Sequence, residues 1–297
     1  MNKTLSLVAG LGLVLVAGAA VAKEASSPSV NVTPIKGPLY MLKGRGGNVV
    51  ASVGNDGVLL IDSDYAEYAE AHAEALAGLK SSEDAPRFLL NTHWHFDHVG
   101  GNFYWGEQGT VILAHENIYQ RMSTRQEMKA FDRVVEPSPP AALPVVTYAD
   151  AIAVRFNGDT LQVQHFPSGH TDGDSMVFFT EQNVVHMGDH YFAGAFPFVD
   201  LGSGGNVFGF IANVEKALTM MDENTVVVPG HGPLSTRDDL QADLAAIKSS
   251  AEQVSKLLQE GKSVEDITAQ GLGPDYADYG KGFIKEAAWI SFVAGSL

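Results

Sequence analysis

The sequence predicts an α+β protein in which two mixed sheets pack face to face with helices on the outside. Three observations lead there. Short β-branched runs punctuated by Asn/Asp-Gly turns alternate with Ala/Glu-rich segments of helical spacing, and that order occurs twice, once on each side of a Pro-rich seam at residues 136–144. No fixed-period repeat points to a solenoid.

In the first half, residues 39–42, 49–53 and 58–61 read as strands, separated by Gly44-Arg45-Gly46-Gly47 and Asn55-Asp56-Gly57. Residues 64–80 carry Tyr68, Ala71, Ala75 and Leu79 near helical spacing and predict a helix. Residues 87–90 and 110–114 are apolar enough for buried strands, and 116–129 predict a second helix. Beyond the seam, Ile152, Val154 and Phe156 alternate with polar or small neighbours, as do Leu161 and Val163 after Asn157-Gly158. Strands at 176–180 and 184–187, a helix at 207–221 and a strand at 225–228 follow. The tail from 236 reads as helices broken at Gly261 and at 271–274.

Residues 1–22 do not belong to this fold. Lys3, the apolar run 5–16 and Ala20-Val21-Ala22 make a secretory signal peptide, which predicts an exported, periplasmic protein starting at Lys23. Residues 23–36, with Ser26, Ser27, Pro28, Ser29 and Pro34, read as a flexible leader, leaving 37–297 as one domain. No later segment is long enough to span a bilayer, so stable membrane insertion is not expected after cleavage. A formal net charge of −16 argues against a nucleic-acid partner and leaves a small-molecule substrate. The chain has no cysteine, which excludes disulfides and thiolate metal sites.

The chemistry concentrates in Asn91-Thr92-His93-Trp94-His95-Phe96-Asp97-His98-Val99-Gly100-Gly101. A strand ending in a turn aims His93 and His95 at one point and places Asp97 and His98 for a second metal nearby. Imidazole and carboxylate suit zinc and other divalent transition metals. Three later loops each add a candidate ligand where a strand meets glycine: His170 in Phe166-Pro167-Ser168-Gly169-His170, Asp189 in Met187-Gly188-Asp189, and His231 in Pro229-Gly230-His231-Gly232. No G-x-S-x-G nucleophile elbow is present.

With these motifs in this order, the chain resembles the metallo-β-lactamase superfamily from about residue 39 to residue 231. The resemblance implies a four-layer αββα sandwich with the metal site at one edge of the sheets. It implies two divalent metal ions, zinc by default with iron or manganese acceptable. His93, His95 and His170 would hold the first, Asp97, His98 and His231 the second, and Asp189 would bridge both. Asp62, ending a strand, would orient ligands. The implied reaction is hydrolysis of an amide or ester by a metal-bound hydroxide, with Asp97 as the catalytic group that orients the nucleophile and relays its proton.

Export points to β-lactam-type ring opening, with a lactonase or a glyoxalase II-like thioesterase as alternatives. A mono-iron persulfide dioxygenase on His93, His170 and Asp189 is the alternative from another class. Phe192 stands where the best-known lactamases carry a lysine for the substrate carboxylate, so weak or promiscuous lactamase activity is expected. The aromatic loop 191–198 and the turn 44–47 are expected to roof the metal edge, with Arg45 the first residue to suspect as another anchor. Among the other histidines, His72 reads as solvated, His165 as a satisfied strand residue and His186 as core or as a residue that supports a ligand from behind. His115 and His190, at or just beyond strand ends, read as helix capping or packing, with a pocket role the alternative. Trp94, Phe96, Tyr104 and Trp105 read as core by default, with Trp94 and Phe96 candidates for the pocket mouth.

Overall fold

Strands whose two faces are both covered read as continuous apolar runs, and the sequence Val58-Leu59-Leu60-Ile61 is such a case. The computed structural model describes residues 28–79 and 85–297. The expected signal peptide and the first part of the leader lie outside them. The chain opens with β1 (Asn31–Lys36), β2 (Leu39–Lys43), β3 (Val49–Gly54) and β4 (Gly57–Ile61), an antiparallel run. Helix α1 (Ala69–Ala77), β5 (Phe88–Leu90), the short helices α2 (Phe96–Val99) and α3 (Asn102–Gly106), and β6 (Val111–His115) follow. After α4 (Glu116–Ser123) a hairpin of β7 (Gln126–Met128) and β8 (Arg133–Val135) intervenes before β9 (Val146–Tyr148). The first sheet has seven strands in the order β1-β2-β3-β4-β5-β6-β9, parallel from β4 onward.

The second sheet has six strands: β10 (Ala151–Phe156), β11 (Asp159–His165), β12 (Ser175–Phe179), β13 (Val184–His186), β14 (Val226–Val228) and β15 (Ser235–Thr236), in chain order. Helix α5 (Val207–Leu218) lies between β13 and β14, and α6 (Arg237–Gln259), α7 (Val264–Gln270) and α8 (Glu286–Gly295) complete the chain. The fold is the expected α+β sandwich. Leu59, Ile61 and Leu90 of the first sheet pack against Leu161, Val177 and Val228 of the second. The alternate residues Val58, Leu60 and Leu89 turn outward onto Leu76 of α1 and Trp105 of α3. On the far side, Val185 and Val227 meet Val214 of α5, Leu240 and Ile247 of α6, and Trp289 of α8.

Two stretches differ from expectation. Residues 31–36 are not loose leader but the edge strand β1, bonded to β2 from Asn31 opposite Lys43 to Lys36 opposite Leu39. Its side chains are exposed at every position but Ile35, so backbone pairing forms it and no apolar pattern announces it. Helix α4 stops at Ser123 rather than running to residue 129, because Thr124 is extended and the chain turns into the β7–β8 hairpin. No helix among the described residues is long and apolar enough to cross a membrane.

Candidate metal centre

The parallel strands aim their carboxyl ends at one edge of the sandwich, where loops beyond them converge, as open α/β sheets do at their ligand sites. Asp62 follows β4, His93 to His98 follow β5, Asp189 follows β13, and His231 follows β14. His170 lies in the loop between β11 and β12. All seven expected ligands are brought together in two groups. His93, His95, His170 and Asp189 form one, and Asp97, His98 and His231 the other, with potential ligand atoms within 4.8 Å of one another in each.

Asp189 faces both groups. Its Oδ2 lies 3.7 Å from His93 Nε2 and 3.4 Å from His170 Nε2, while Oδ1 lies 3.0 Å from His98 Nε2 and 3.5 Å from His231 Nε2. Asp97 Oδ2 sits 3.3 Å from His231 Nε2 and 3.9 Å from His98 Nε2. Two glycines permit this approach. A Cβ on Gly230 would fall 2.1 Å from Asp189 Oδ1, and one on Gly47 would fall 2.1 Å from His98 Cε1.

The outer nitrogens of four of these histidines are committed as donors, which fixes their ring orientation. His98 Nδ1 donates to Asp62 Oδ2 at 2.8 Å, and His95 Nε2 to Asp200 Oδ2 at 3.1 Å. His170 Nδ1 donates to the Phe198 carbonyl at 2.7 Å. Thr92 Oγ1 donates to Asp62 and accepts from His93 Nδ1 at 3.0 Å. The inner nitrogens of His93, His95 and His170 are then left with lone pairs. His93 Nε2 is buried without any hydrogen bond, and His95 Nδ1 lies 2.8 Å from His170 Nε2. Two imidazole lone pairs at that distance repel unless a cation lies between them. The residues present therefore fit a divalent metal, and their nitrogen and oxygen donors suit zinc, iron or manganese.

Electrostatics divide the histidines. In the metal-free protein, burial holds His93 well below its ordinary pKa and lowers His170 to about 4, so both are neutral and ready to bind. Burial also pulls on His231, but Asp189 and Asp97 outweigh it and raise the group to about 9. His98 is likewise driven well above its usual range, against burial, by Asp189, Asp62 and Asp97. A proton on His231 must leave before a metal occupies Nε2, so zinc uptake is expected to tighten as pH rises toward 9 and to release protons at neutral pH. Zinc calorimetry in two buffers of different ionisation enthalpy counts those protons, and zero release would contradict a protonated His231.

Above the two groups opens a cavity of about 630 Å³. Asp97, Asp189, His95 and His231 reach its floor, and Phe192, Phe196 and Phe198 of the aromatic loop line it. Phe192 stacks on the His231 ring at 5.1 Å, so it braces a candidate ligand as well as forming wall. Arg45, on the turn beside the site, also lines the cavity, and that turn is tied down where Asp64 accepts the Gly46 amide at 2.8 Å. Sequence reasoning missed Phe131 and Arg133 of the β7–β8 hairpin, Phe283 from the tail, and Asp200 behind His95. Val199-Asp200 carries no motif; only the folded chain brings it to His95.

The remaining histidines resolve individually. His72 is not solvated. It is buried on α1 with Nε2 donating to Asp64 at 3.0 Å, because Asp64 turns inward beneath the first helix. His115 caps α4 by accepting the Asn117 amide, and His190 stacks on Phe210 and accepts from Asn213, so neither lines the cavity. His165 bonds the Asp174 carbonyl and His186 the Asn48 carbonyl, both as expected. Trp94 is core, packed with Ile118 and Met122, whereas Phe96 lines the cavity.

Comparison with known proteins agrees with this architecture. The model of the metallo-beta-lactamase superfamily matches residues 42–231. A probable metallo-hydrolase of Bacillus subtilis is 26% identical over 52% of this chain and 72% of its own length. A hydroxyacylglutathione hydrolase of Erythrobacter litoralis is 29% identical over 47% of this chain and 49% of that protein, so the match spans about half of it. Among solved structures, a metallo-beta-lactamase from Pontibacter korlensis superposes with a TM-score of 0.58 at 19% identity, over 74% of this chain and 99% of that one. A sec-alkylsulfatase from a Pseudomonas species does so with 0.67 at 14% identity, over 89% and 49%. At these identities the structural matches speak for the fold alone.

Proposed function

We propose that this chain, which belongs to the metallo-beta-lactamase superfamily and is a metal-dependent hydrolase, is a two-metal enzyme that opens a small cyclic amide or ester of β-lactam or lactone type. The observation that carries the reading is Asp189, whose two oxygens face different ligand groups. His93, His95 and His170 would hold one ion, Asp97, His98 and His231 the other, with Asp189 shared and zinc the default occupant. The ions supply Lewis-acid polarisation of the scissile carbonyl and acidify the attacking water.

The side chains do the rest. Asp97, held at about 2 by His98 and His231 against the upward pull of burial, is ionised at neutral pH and reaches into the cavity. It orients the nucleophile, accepts its proton and delivers it to the leaving nitrogen or oxygen. Phe192 and Phe198 exclude water and hold the apolar part of the substrate. A glutathione thioester is less well served, since Arg237, the first basic residue after His231, is half-buried at the start of α6 and bonded to Gln241. Export to the periplasm rests on the composition of residues 1–22, and the mass of the mature chain tests it.

The deciding experiment is turnover by zinc-reconstituted protein of β-lactams, lactones, thioesters, phosphodiesters and persulfides, alongside metal analysis. Two zinc ions per chain and turnover of lactams or lactones are expected. A ceiling of one ion, or turnover confined to persulfides, would overturn the proposal.

A further inference from the structure

One wall of the cavity carries a feature that the metal chemistry does not use. The Arg45 guanidinium lies over the Tyr65 ring, 4.6 Å from its centroid. Tyr65 and Phe96 follow with centroids 5.7 Å apart, and the Arg133 guanidinium lies over Phe96 at 4.3 Å. All four line the cavity beside Asp97. Two cations thus rest on one pair of aromatic rings.

The two differ in their partners. Arg45 shares its charge with Glu67 at 3.3 Å. Arg133 has no Asp or Glu oxygen within 4.0 Å among the described residues, in a chain with 35 acidic and 19 basic side chains. Its ring contact limits the motion of the guanidinium without using its in-plane donors, which match an oxyanion in geometry. A generally acidic protein repels anionic ligands at long range, so local cations at the cavity are needed to admit one. On the same hairpin, Phe131 stacks with Phe283 at 5.9 Å, and Phe283 is 72% exposed, which makes an apolar rim to the cavity.

We propose that this wall is an anion subsite. The substrate carries a singly charged oxyanion, of carboxylate or sulfonate type, remote from the bond that is cut. Arg133 holds that group with Arg45 beside it, and the apolar body lies on the phenylalanines. The assignment supplies the anchor that Phe192 cannot, and it rests on the reading of this cavity as the substrate pocket.

The test uses two dyes that differ only in a sulfonate: 1-anilinonaphthalene-8-sulfonate and N-phenyl-1-naphthylamine. Each is titrated by its fluorescence into the full chain, both metal-free and zinc-reconstituted. In Arg133→Ala the anionic dye is expected to bind about fivefold more weakly, with the neutral dye unchanged and Arg133→Lys recovering part of the loss. Phe131→Ala is expected to weaken both dyes, which places them in the cavity. An anionic dye that binds Arg133→Ala as it binds wild type overturns the subsite. So does equal weakening of both dyes, which would mean that the arginine matters only as packing on Phe96. If Arg133→Ala does not fold, Arg45→Ala is read in the same way, together with the salt dependence of each dye on wild type. Because the readout is binding, a protein that fails to hydrolyse lactams can still show the subsite, and an active hydrolase can lack it.

Discussion

His95→Ala is expected to reduce hydrolysis below about one-thousandth of the wild-type rate, because a water without its metal loses most of the roughly nine-unit drop in pKa that makes it a nucleophile. The position has no substitute. His95 is the residue from which α2 starts, and its Nδ1 is turned to within 2.8 Å of His170 Nε2 while Nε2 is tied to Asp200. Alanine removes a donor from a cluster that otherwise has only His93, His170 and Asp189. It also strips the buried Asp200 carboxylate of its histidine, although that carboxylate still accepts the Gly202 and Ser203 amides, so the loop after it should persist. The metal content and near-ultraviolet circular dichroism of the variant separate a lost site from a lost fold. A folded His95→Ala protein with two tight zinc ions and normal turnover would remove His95 from the centre. Asp200→Ala is the graded control: the ring stays but loses its tether, and metal affinity should fall about ten- to a hundredfold.

That Asp200 went unseen while His95 did not shows what a sequence makes legible. Ligand candidates sit in short loops where strands meet glycine, and their residue types announce their chemistry at close spacing, as from His93 to His98. The residues that orient them act across the fold. Asp200 is 105 positions from His95, and the hairpin bearing Phe131 and Arg133 was masked by a helix-like pattern that continued beyond the true end of α4. Phe283 comes from a tail loop that touches the cavity only after α6, α7 and α8 have packed. His72 illustrates the opposite error. Its helical position suggested water, but its partner Asp64 lies before the helix, held inward by a left-handed backbone at φ 57°. The sandwich itself was legible because strands such as β4 are apolar on both faces, which only a sheet covered on both sides requires.

Asp62→Asn should weaken one metal more than the other. Asp62 is fully buried and accepts three hydrogen bonds: from the Thr92 amide at 2.8 Å, from Thr92 Oγ1 at 2.7 Å and from His98 Nδ1 at 2.8 Å. Asparagine keeps one acceptor oxygen, enough for the Thr92 amide, but presents an NH2 where His98 now donates. The His98 ring must then move its proton to Nε2 to accept from that amide, and Nε2 is the atom that faces Asp97, Asp189 and His231. A protonated Nε2 cannot bind a metal. The ion of the Asp97–His98–His231 group should therefore bind about ten- to a hundredfold more weakly. The other group should change less: the Thr92 hydroxyl loses the same oxygen as its acceptor, but its lone pairs can take both the new NH2 and His93 Nδ1–H, so His93 keeps its tautomer. Asparagine is the right probe because Asp62 has φ 63°, a left-handed conformation that Asn tolerates and Ala does not. Asp62→Ala adds that strain to three lost hydrogen bonds and should cost about 2–4 kcal/mol of stability in denaturant melts. Competitive zinc titration of Asp62→Asn decides the matter. Equal weakening of both sites would make Asp62 a general prop of the edge, and unchanged affinity at both would mean that His98 keeps its tautomer without it.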